Sequence, residues 1–302
     1  MQMRQFDIDN NLKELTKHET TTLPIACYET TIQHHIQGYI PIHWHEELQF
    51  VYVKEGTAQF QVNDDQIEVK KGQGLFINSG CLHMAKEVGD GPCTYICINV
   101  DTRLLLSTLL QADFVQPYLQ SSHYVKFLPS DDWAATILNG ILTLQQLLKS
   151  QSPLYELLVC EQLLKMWRHL IVNGLSVKES VGNHQRQARM KEMLHFIHGH
   201  FSQKITLQQI ATSGQLSRSE CCRYFQQTMQ TSPMQYVLTY RIQQSLILLQ
   251  DEDYSITDIA YQVGFTSTSY YIERFKAVMN VTPLAYRNHL QYKKSNQEQS
   301  NY

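Results

Sequence analysis

A pair of similar segments near the C-terminus constrains this 302-residue chain more than any other feature. One segment is residues 205–237 and the other is residues 255–287. The matched residues are Ile210 with Ile259, Ala211 with Ala260, Ser217 with Ser267, Phe225 with Phe275, Pro233 with Pro283, and Tyr236 with Tyr286. The offset is 49 for the first two pairs and 50 for the other four, so the extra residue falls in an expected turn. The pattern therefore predicts a repeated structural unit.

Each copy has the signals of a helix-turn-helix. In the second copy, Ser255 is placed to cap a short helix, and Gly264 can end it in the left-handed conformation. Phe265 would fill the core between the helices, and Ser267 or Thr268 would cap the next helix. In the first copy the same roles fall to Thr206, Gly214, Leu216 and Ser217. The outer face of each second helix stays free to enter a groove.

A longer helix, predicted from about Pro233 to Gln250, connects the two units. At about 1.5 Å rise per residue it spans about 25 Å. This rod is long enough to hold two recognition helices in successive major grooves, which lie about 34 Å apart on one face of DNA. The alternative is a purely helical interaction domain, but matched caps, plugs and prolines favour DNA binding.

The charge distribution points the same way. Residues 186–294 hold twelve Lys and Arg against seven Asp and Glu, a net charge of +5, whereas residues 1–185 carry −7. A basic C-terminal module on an acidic body favours a polyanion partner, because phosphate contacts supply much of the non-specific affinity for nucleic acid.

These residues resemble the AraC/XylS-type DNA-binding domain. The resemblance covers residues 187–292 and is strongest in SITDIAYQVGFTSTSYYIERFK followed by VTPLAYR. It implies seven helices, two of which read DNA, in a regulator that commonly activates transcription beside RNA polymerase.

The resemblance also implies which side chains meet DNA. The candidates in the first unit are Arg218, near a phosphate, and the base-facing Ser219, Cys222 and Arg223; those in the second unit are Thr268, Ser269, Ile272, Glu273 and the adjacent Arg274. Arg223 is the strongest, since arginine can bind guanine through two hydrogen bonds. Glu273 stands where the family usually has arginine, and a carboxylate can instead accept from cytosine N4. Gln230 and Asn280 replace a family glycine, and asparagine tolerates the left-handed conformation.

The first 130 residues are predicted to be β-rich. Segments 48–56, 57–64, 66–78 and 93–100 alternate or cluster β-branched and aromatic residues, and turn residues separate them. Several short strands at this spacing predict a sandwich or barrel. The fold class is therefore multidomain α+β, with a β-barrel, connecting helices and an all-α domain.

The barrel segment resembles a cupin, the usual sensor in front of AraC-type DNA-binding domains. Gly38 to Gly56, with His43 and His45, resembles the first cupin motif, and Gly80 to His83 resembles the second. Three imidazoles could bind a metal, but Gln49 stands at the family's metal-binding glutamate. An effector pocket is favoured over a metal site or purely structural histidines. Its expected lining residues are His43, His45, Tyr52 and His83, with no metal, cofactor or catalytic residue.

From residue 131 the apolar spacing becomes helical, which predicts connecting helices and a linker over 131–185. One apolar stripe is either a homodimer seam or a surface that packs on the β domain; it comprises Leu157, Cys160, Leu164, Trp167 and Ile171. Residues 173–186 are polar and predict a linker. Residues 186–294 form the DNA-binding domain, and residues 295–302 form a polar tail.

The remaining features predict a protein of the cytoplasm. No apolar run approaches the roughly 20 residues of a membrane helix, and the N-terminus lacks the apolar core of a secretory signal. The seven scattered cysteines predict free thiols in a reducing compartment.

Three functions follow from these features. The leading one is an effector-responsive transcription regulator, an activator that binds double-stranded DNA. The alternatives are a cupin metalloenzyme with a helical interaction module, which Gln49 disfavours, and a DNA-binding protein whose barrel only dimerises.

Overall fold

A computed structural model gives the fold. It describes residues 8–9, 12–18, 23–35, 38–89, 91–119, 121–176, 181–251 and 253–299, without the side chains of 181–184 and 292–299. The chain divides into two compact units, Met1–Ala188 and Arg189–Tyr302.

The first unit contains two antiparallel sheets. The strands are β1 Ile25–Thr31, β2 Tyr39–His43, β3 Leu48–Glu55, β4 Thr57–Val62, β5 Asp65–Lys70, β6 Gly74–Ile77, β7 His83–Glu87, β8 Thr94–Val100 and β9 Tyr124–Phe127. One sheet has the order β1-β8-β3-β6-β9 and the other has the order β2-β7-β4-β5. All four predicted strand segments are confirmed, with 66–78 divided into β5 and β6 at the turn around Gly72.

Side-chain alternation along the strands builds two apolar cores. On β3, Val51 and Val53 face the core between the two sheets, together with Phe60 of β4. Phe50 faces the opposite side, where it joins the core formed with the helices that follow the barrel. Successive residues of a strand point to opposite faces, so one strand can serve both cores.

Four α-helices precede residue 181 in the described part of the first unit. They are α1 Thr108–Phe114, α2 Gln116–Leu119, α3 Asp132–Ser150 and α4 Tyr155–Asn173. The apolar stripe predicted on α4 divides in the structure: Trp167 is buried against Phe76 of β6, with ring centroids 6.5 Å apart. Leu157 and Leu164 are exposed. Trp167 therefore packs on the β domain, whereas Leu157 and Leu164 do not.

The predicted linker over 173–186 is wrong for its last part. Helix α5, Val181–His200, already begins there, and residues 177–180 lie outside the described range. Two polar side chains near the start of α5 have partners within the first unit, which ends at Ala188. Arg186 pairs with Asp64 at 3.0 Å, and Gln187 lies 3.0 Å from the His123 ring nitrogen.

The second unit is helical. After α5 come α6 Leu207–Ser213, α7 Arg218–Met229, α8 Pro233–Leu248, α9 Ile256–Gln262, α10 Thr268–Met279 and α11 Pro283–Gln299. Counting α5, the described residues thus contain the seven helices that the AraC/XylS resemblance implies. Residues 295–299 of the predicted tail continue α11, and 300–302 lie outside the described part.

The predicted helix caps are confirmed. Thr206, Ser217 and Ser255 each form a capping box with the third residue of the following helix, and Ser267 caps α10. Each hydroxyl accepts a hydrogen bond from an N–H that the helix itself cannot satisfy. Gln230 and Asn280 both adopt the left-handed conformation, with φ of 51° and 58°.

One equivalence drawn from the repeat is wrong. Gly264 has φ +89°, as predicted, but the left-handed residue of the first unit is Gln215, with φ 54°, rather than Gly214. Gly214 is required for space: a Cβ there would lie 2.7 Å from Met193 Cγ on α5. The two glycines therefore serve different needs, a close helix contact and a left-handed turn.

Two further expectations concern the whole chain. The cysteines are free thiols, as predicted. Across the part of the chain that the structure describes, no helix is long and apolar enough to cross a membrane.

Candidate nucleic-acid interface and effector site

The outer face of α7 carries a row of exposed side chains. Cys221 and Phe225 are buried in the core of the unit. Ser219, Arg223 and Gln226 are exposed, and their spacing of four and three residues places them on one face of the helix. This face lies opposite the buried one, as a recognition helix requires.

Helix α10 repeats the arrangement. Tyr271 and Phe275 are fully buried, and Ser269, Glu273 and Lys276 are exposed on the other side. These three positions match Ser219, Arg223 and Gln226 of α7 at the repeat offset of 50. The sequence analysis missed Gln226 and Lys276, which the helical spacing of three from Arg223 and Glu273 could have revealed.

The other candidates occupy the edges of these faces. Arg218, the first residue of α7, is exposed, whereas Cys222, Thr268 and Ile272 are partly buried. Arg274 faces inward: its Nη2 donates to Gln235 Oε1 of α8 at 3.0 Å. The structure therefore places Arg274 against a neighbouring helix and away from the exposed row.

Helix α8 is the frame of this interface, because it contacts α6, α7, α9 and α10. Arg241 on α8 donates to the carbonyl oxygens of Phe201 and Gln203, each at 2.7 Å. On its other side, His198 of α5 stacks on Tyr240, with ring centroids 3.8 Å apart. Burial lowers the pKa of His198 to about 3, so the ring is neutral at physiological pH.

Three histidines of the first unit form a buried cluster. His43 of β2 stands directly opposite His83 of β7 in the sheet register, and His45 follows the end of β2. The ring centroids of His43 and His83 are 4.1 Å apart, and those of His45 and His83 are 4.9 Å apart. Their ligand nitrogens all lie within 4.8 Å of one another. The predicted grouping of these three residues is present in the structure.

Backbone carbonyls fix the orientation of all three rings. Nδ1 of His43 lies 2.8 Å from the Pro41 oxygen, Nδ1 of His45 lies 3.0 Å from the Glu47 oxygen, and Nδ1 of His83 lies 2.9 Å from the Cys81 oxygen. A carbonyl only accepts, so each Nδ1 carries the proton. In the neutral rings Nε2 therefore carries the lone pair. Burial is the main cause that holds the pKa of His43 well below its usual value.

The N-terminal segment brings a carboxylate to this cluster. Glu14 Oε2 lies 3.8 Å from His43 Nε2, and the Glu14 side chain is buried. Burial, with the nearby Glu47 charge, raises the pKa of Glu14 to about 7, although a hydrogen bond from Asn99 opposes the shift. The Glu14 amide donates to the Trp44 oxygen at 2.9 Å. Sequence reasoning missed Glu14 because no motif marks its segment.

The structure also places Gln49 and Tyr52 of β3, which the sequence analysis considered together with the histidines. Gln49 is buried, but its Nε2 donates to Cys97 Sγ at 3.0 Å and to Asn99 Oδ1 at 3.3 Å. Tyr52 is a correction to the predicted pocket: alternation along β3 places it with Phe50, on the face that packs against the helices. The histidine cluster therefore lacks the tyrosine that the sequence analysis gave it.

Comparisons with known protein families agree with this architecture. Residues 27–166 match the model of an AraC-like ligand binding domain, and residues 210–289 match that of a helix-turn-helix domain. The chain is 50% identical over 287 residues to the uncharacterised HTH-type transcriptional regulator YdeC of Bacillus subtilis, covering 94% of this chain and 99% of that one. The chain belongs to the AraC-type transcription regulators.

Two more distant relatives and one solved structure also align over most of the chain. The melibiose operon regulatory protein of Escherichia coli is 26% identical over 88% of this chain and 91% of its own. The transcriptional activator RhaS of Klebsiella pneumoniae is 22% identical over 82% of this chain and 87% of its own. A fatty-acid-bound ToxT structure from Vibrio cholerae aligns with a TM-score of 0.44 at 14% identity, over 90% of this chain and 97% of that one.

Proposed function

We propose that this AraC-type regulator activates transcription by binding a specific DNA sequence through α7 and α10 in response to a small effector. One observation carries the proposal: two capped helices present equivalent exposed rows, Ser219, Arg223 and Gln226 on α7 and Ser269, Glu273 and Lys276 on α10. The name of the RhaS relative supports activation.

The two exposed rows differ in their side chains, so α7 and α10 would contact different bases. Arg223 can donate two hydrogen bonds to guanine, and Glu273 can accept one from cytosine N4. Lys276 and Arg218 supply positive charge for phosphate contacts, which position the protein on the duplex. Ser219, Ser269, Cys222, Thr268 and Ile272 complete the contact surface. Arg274 acts indirectly, because its hydrogen bond to Gln235 orients α10 on α8.

The first unit is the effector sensor, with its functional domain within residues 1–130 and the histidine cluster as its site. Helix α5 leads from it to the proposed DNA-binding domain of residues 186–294 and continues to His200. Near the start of α5, Arg186 and Gln187 pair with Asp64 and His123 within the first compact unit, which ends at Ala188. An effector that alters these contacts would shift the balance between two arrangements of the regulator.

An activator of this kind also has protein partners. RNA polymerase is the expected protein partner of an activator. Leu157 and Leu164 of the predicted α4 stripe are exposed, and we propose them, together with the exposed Val172, as the homodimer surface. We assign the protein to the cytoplasm and give it no enzymatic role.

The residue-level test is Arg223→Ala. Binding to a selected target duplex is measured by fluorescence anisotropy at fixed salt, beside a scrambled duplex. Loss of a two-bond arginine contact costs about 1–3 kcal/mol, so specific affinity should fall about 5- to 150-fold, with scrambled binding changed much less.

Lys204→Ala is the matched control, since Lys204 is an exposed cation outside both recognition helices. It should weaken specific and scrambled binding equally and slightly. Unchanged discrimination in Arg223→Ala would remove α7 from base readout.

A further inference from the structure

The histidine cluster has the chemistry of a metal site. Each of the three imidazoles donates from Nδ1 to a backbone carbonyl, so Nε2 is the nitrogen that each ring can offer to a metal ion. Histidine ligands are commonly held in this manner, with the far nitrogen donating to a carbonyl or carboxylate, because this orients the ring and fixes its tautomer. The carbonyls of Pro41 in β2, Glu47 directly before β3 and Cys81 before β7 perform that role here.

The distances suit a small divalent ion. Zinc bound at about 2.0–2.1 Å in a tetrahedral site would hold its ligand nitrogens about 3.3 Å apart. The three ligand nitrogens already lie within 4.8 Å of one another. Metal binding would draw these nitrogens closer together while each ring keeps its carbonyl partner. Imidazole ligands select zinc and neighbouring transition metals over magnesium or calcium.

A fourth ligand is close and comes from outside the barrel motifs. Glu14 Oε2 lies 3.8 Å from His43 Nε2 in a buried position. The backbone holds this residue in place, because its amide donates to the Trp44 oxygen and the Trp44 amide donates to the Leu12 oxygen, each at 2.9 Å. At the motif position, the Nε2 of Gln49 donates to Cys97 and Asn99, whereas Glu14 offers a carboxylate oxygen.

We propose that His43, His45 and His83 bind one divalent transition-metal ion of the zinc class and that Glu14 of the N-terminal segment completes its coordination. The ion has three nitrogen ligands from the barrel and one oxygen ligand from residues 12–18. It therefore fastens this segment to the end of β2. The ion would occupy the cluster that the proposed function makes the effector site, so its regulatory meaning rests on that function, whereas metal binding is measured without DNA.

The test uses the full-length chain without a polyhistidine tag. Protein stripped with a chelator is titrated with cobalt(II), and visible absorption reports a four-coordinate site; zinc is then added in competition. We expect one cobalt per chain, a strong visible band, and its loss on addition of one equivalent of zinc. Absence of the band at equimolar cobalt, with no metal retained after gel filtration, overturns the proposal.

Glu14→Gln tests the fourth ligand. The amide keeps the shape of the side chain, so we expect folding to persist, a changed cobalt spectrum, and zinc affinity lower by at least about tenfold. Glu46→Gln is the matched control: it removes an exposed carboxylate that pairs with Lys13 of the same segment at 2.8 Å, and it should bind metal as wild type does. An unchanged spectrum and affinity in Glu14→Gln overturn the assignment of Glu14.

Hydrogen exchange of residues 12–18 supplies an independent readout. Zinc should slow exchange there in wild type and in Glu46→Gln but not in Glu14→Gln. His83→Gln should abolish metal binding, and circular dichroism checks that it folds. DNA binding is measured in parallel on the zinc-loaded and stripped proteins. Loss of DNA binding in both, with cobalt binding intact, contradicts the proposed function alone, whereas the reverse pattern contradicts the metal site alone.

Discussion

The buried His198 should make the DNA-binding unit lose stability in mild acid. Its side chain is 5% exposed, its Nε2 lies 2.9 Å from the Tyr236 hydroxyl, and its ring stacks on Tyr240. Burial, reinforced by the nearby His195, lowers its pKa to about 3. In the unfolded chain the imidazole recovers a pKa of about 6.5. At mild acid pH the imidazole of His198 therefore binds a proton in the unfolded state but not in the native state.

The size of the effect follows from linkage. Stability rises with pH wherever the unfolded state binds more protons, which here is the window between about pH 3 and about pH 6.5. Between about pH 7.5 and about pH 5.5, this one group removes about 1.4 kcal/mol of unfolding free energy. For a unit of this size, that lowers the melting temperature by roughly 5–10 °C.

The assay is thermal unfolding of full-length protein at both pH values, followed by circular dichroism. His198→Gln should reduce the pH dependence of the helical transition by about 1.4 kcal/mol, whatever its effect on absolute stability. His200→Gln, on the exposed side of the same helix, should retain the wild-type dependence. Equal pH dependence in wild type and His198→Gln would refute the reasoning.

Two further substitutions test the turn and the cap of the helix-turn-helix units. Left-handed strain alone costs about 1–2 kcal/mol. Gly264→Ala should lower the free energy of unfolding by more than that, because its Cβ would lie 2.6 Å from the Phe201 oxygen. Gly199→Ala lies in open space on α5 and should stabilise the protein by up to about 1 kcal/mol. Chemical denaturation distinguishes the two signs. Ser217→Ala removes the α7 capping box and should lower the free energy of unfolding by about 1 kcal/mol. Ser219→Ala should leave stability unchanged and weaken DNA binding. Equal melting temperatures of the two serine variants would contradict the role of Ser217 as a cap.

The helical unit could be predicted closely because its signals are local. A cap serine, a small residue at a helix crossing and an inward phenylalanine act within a few residues of one another, and the repeat shows each of them twice. Spacing could not assign Gly214 correctly, since its role depends on Met193 of another helix. The left-handed turn at Gln215 was hidden because glutamine carries no turn signal.

The sensor site was less accessible to sequence reasoning. His43, His45 and His83 were found because they share motifs, and the register of β2 and β7 brings His43 opposite His83. Tyr52 was misplaced because the sequence does not show which face of β3 points toward the histidines. In the structure Tyr52 lies on the opposite face, toward the helices. Glu14 is separated from His43 by 29 positions without a strand pattern, so only the folded chain shows that they meet.

Whether two recognition helices bind one DNA site can be measured by selecting genomic fragments with the purified full-length protein at moderate salt. We expect an enriched site with two short conserved blocks whose centres lie about one helical turn, 10–10.5 base pairs, apart. The Arg223→Ala variant should lose preference in one block and keep it in the other. A single block, or no enriched sequence, would contradict the account.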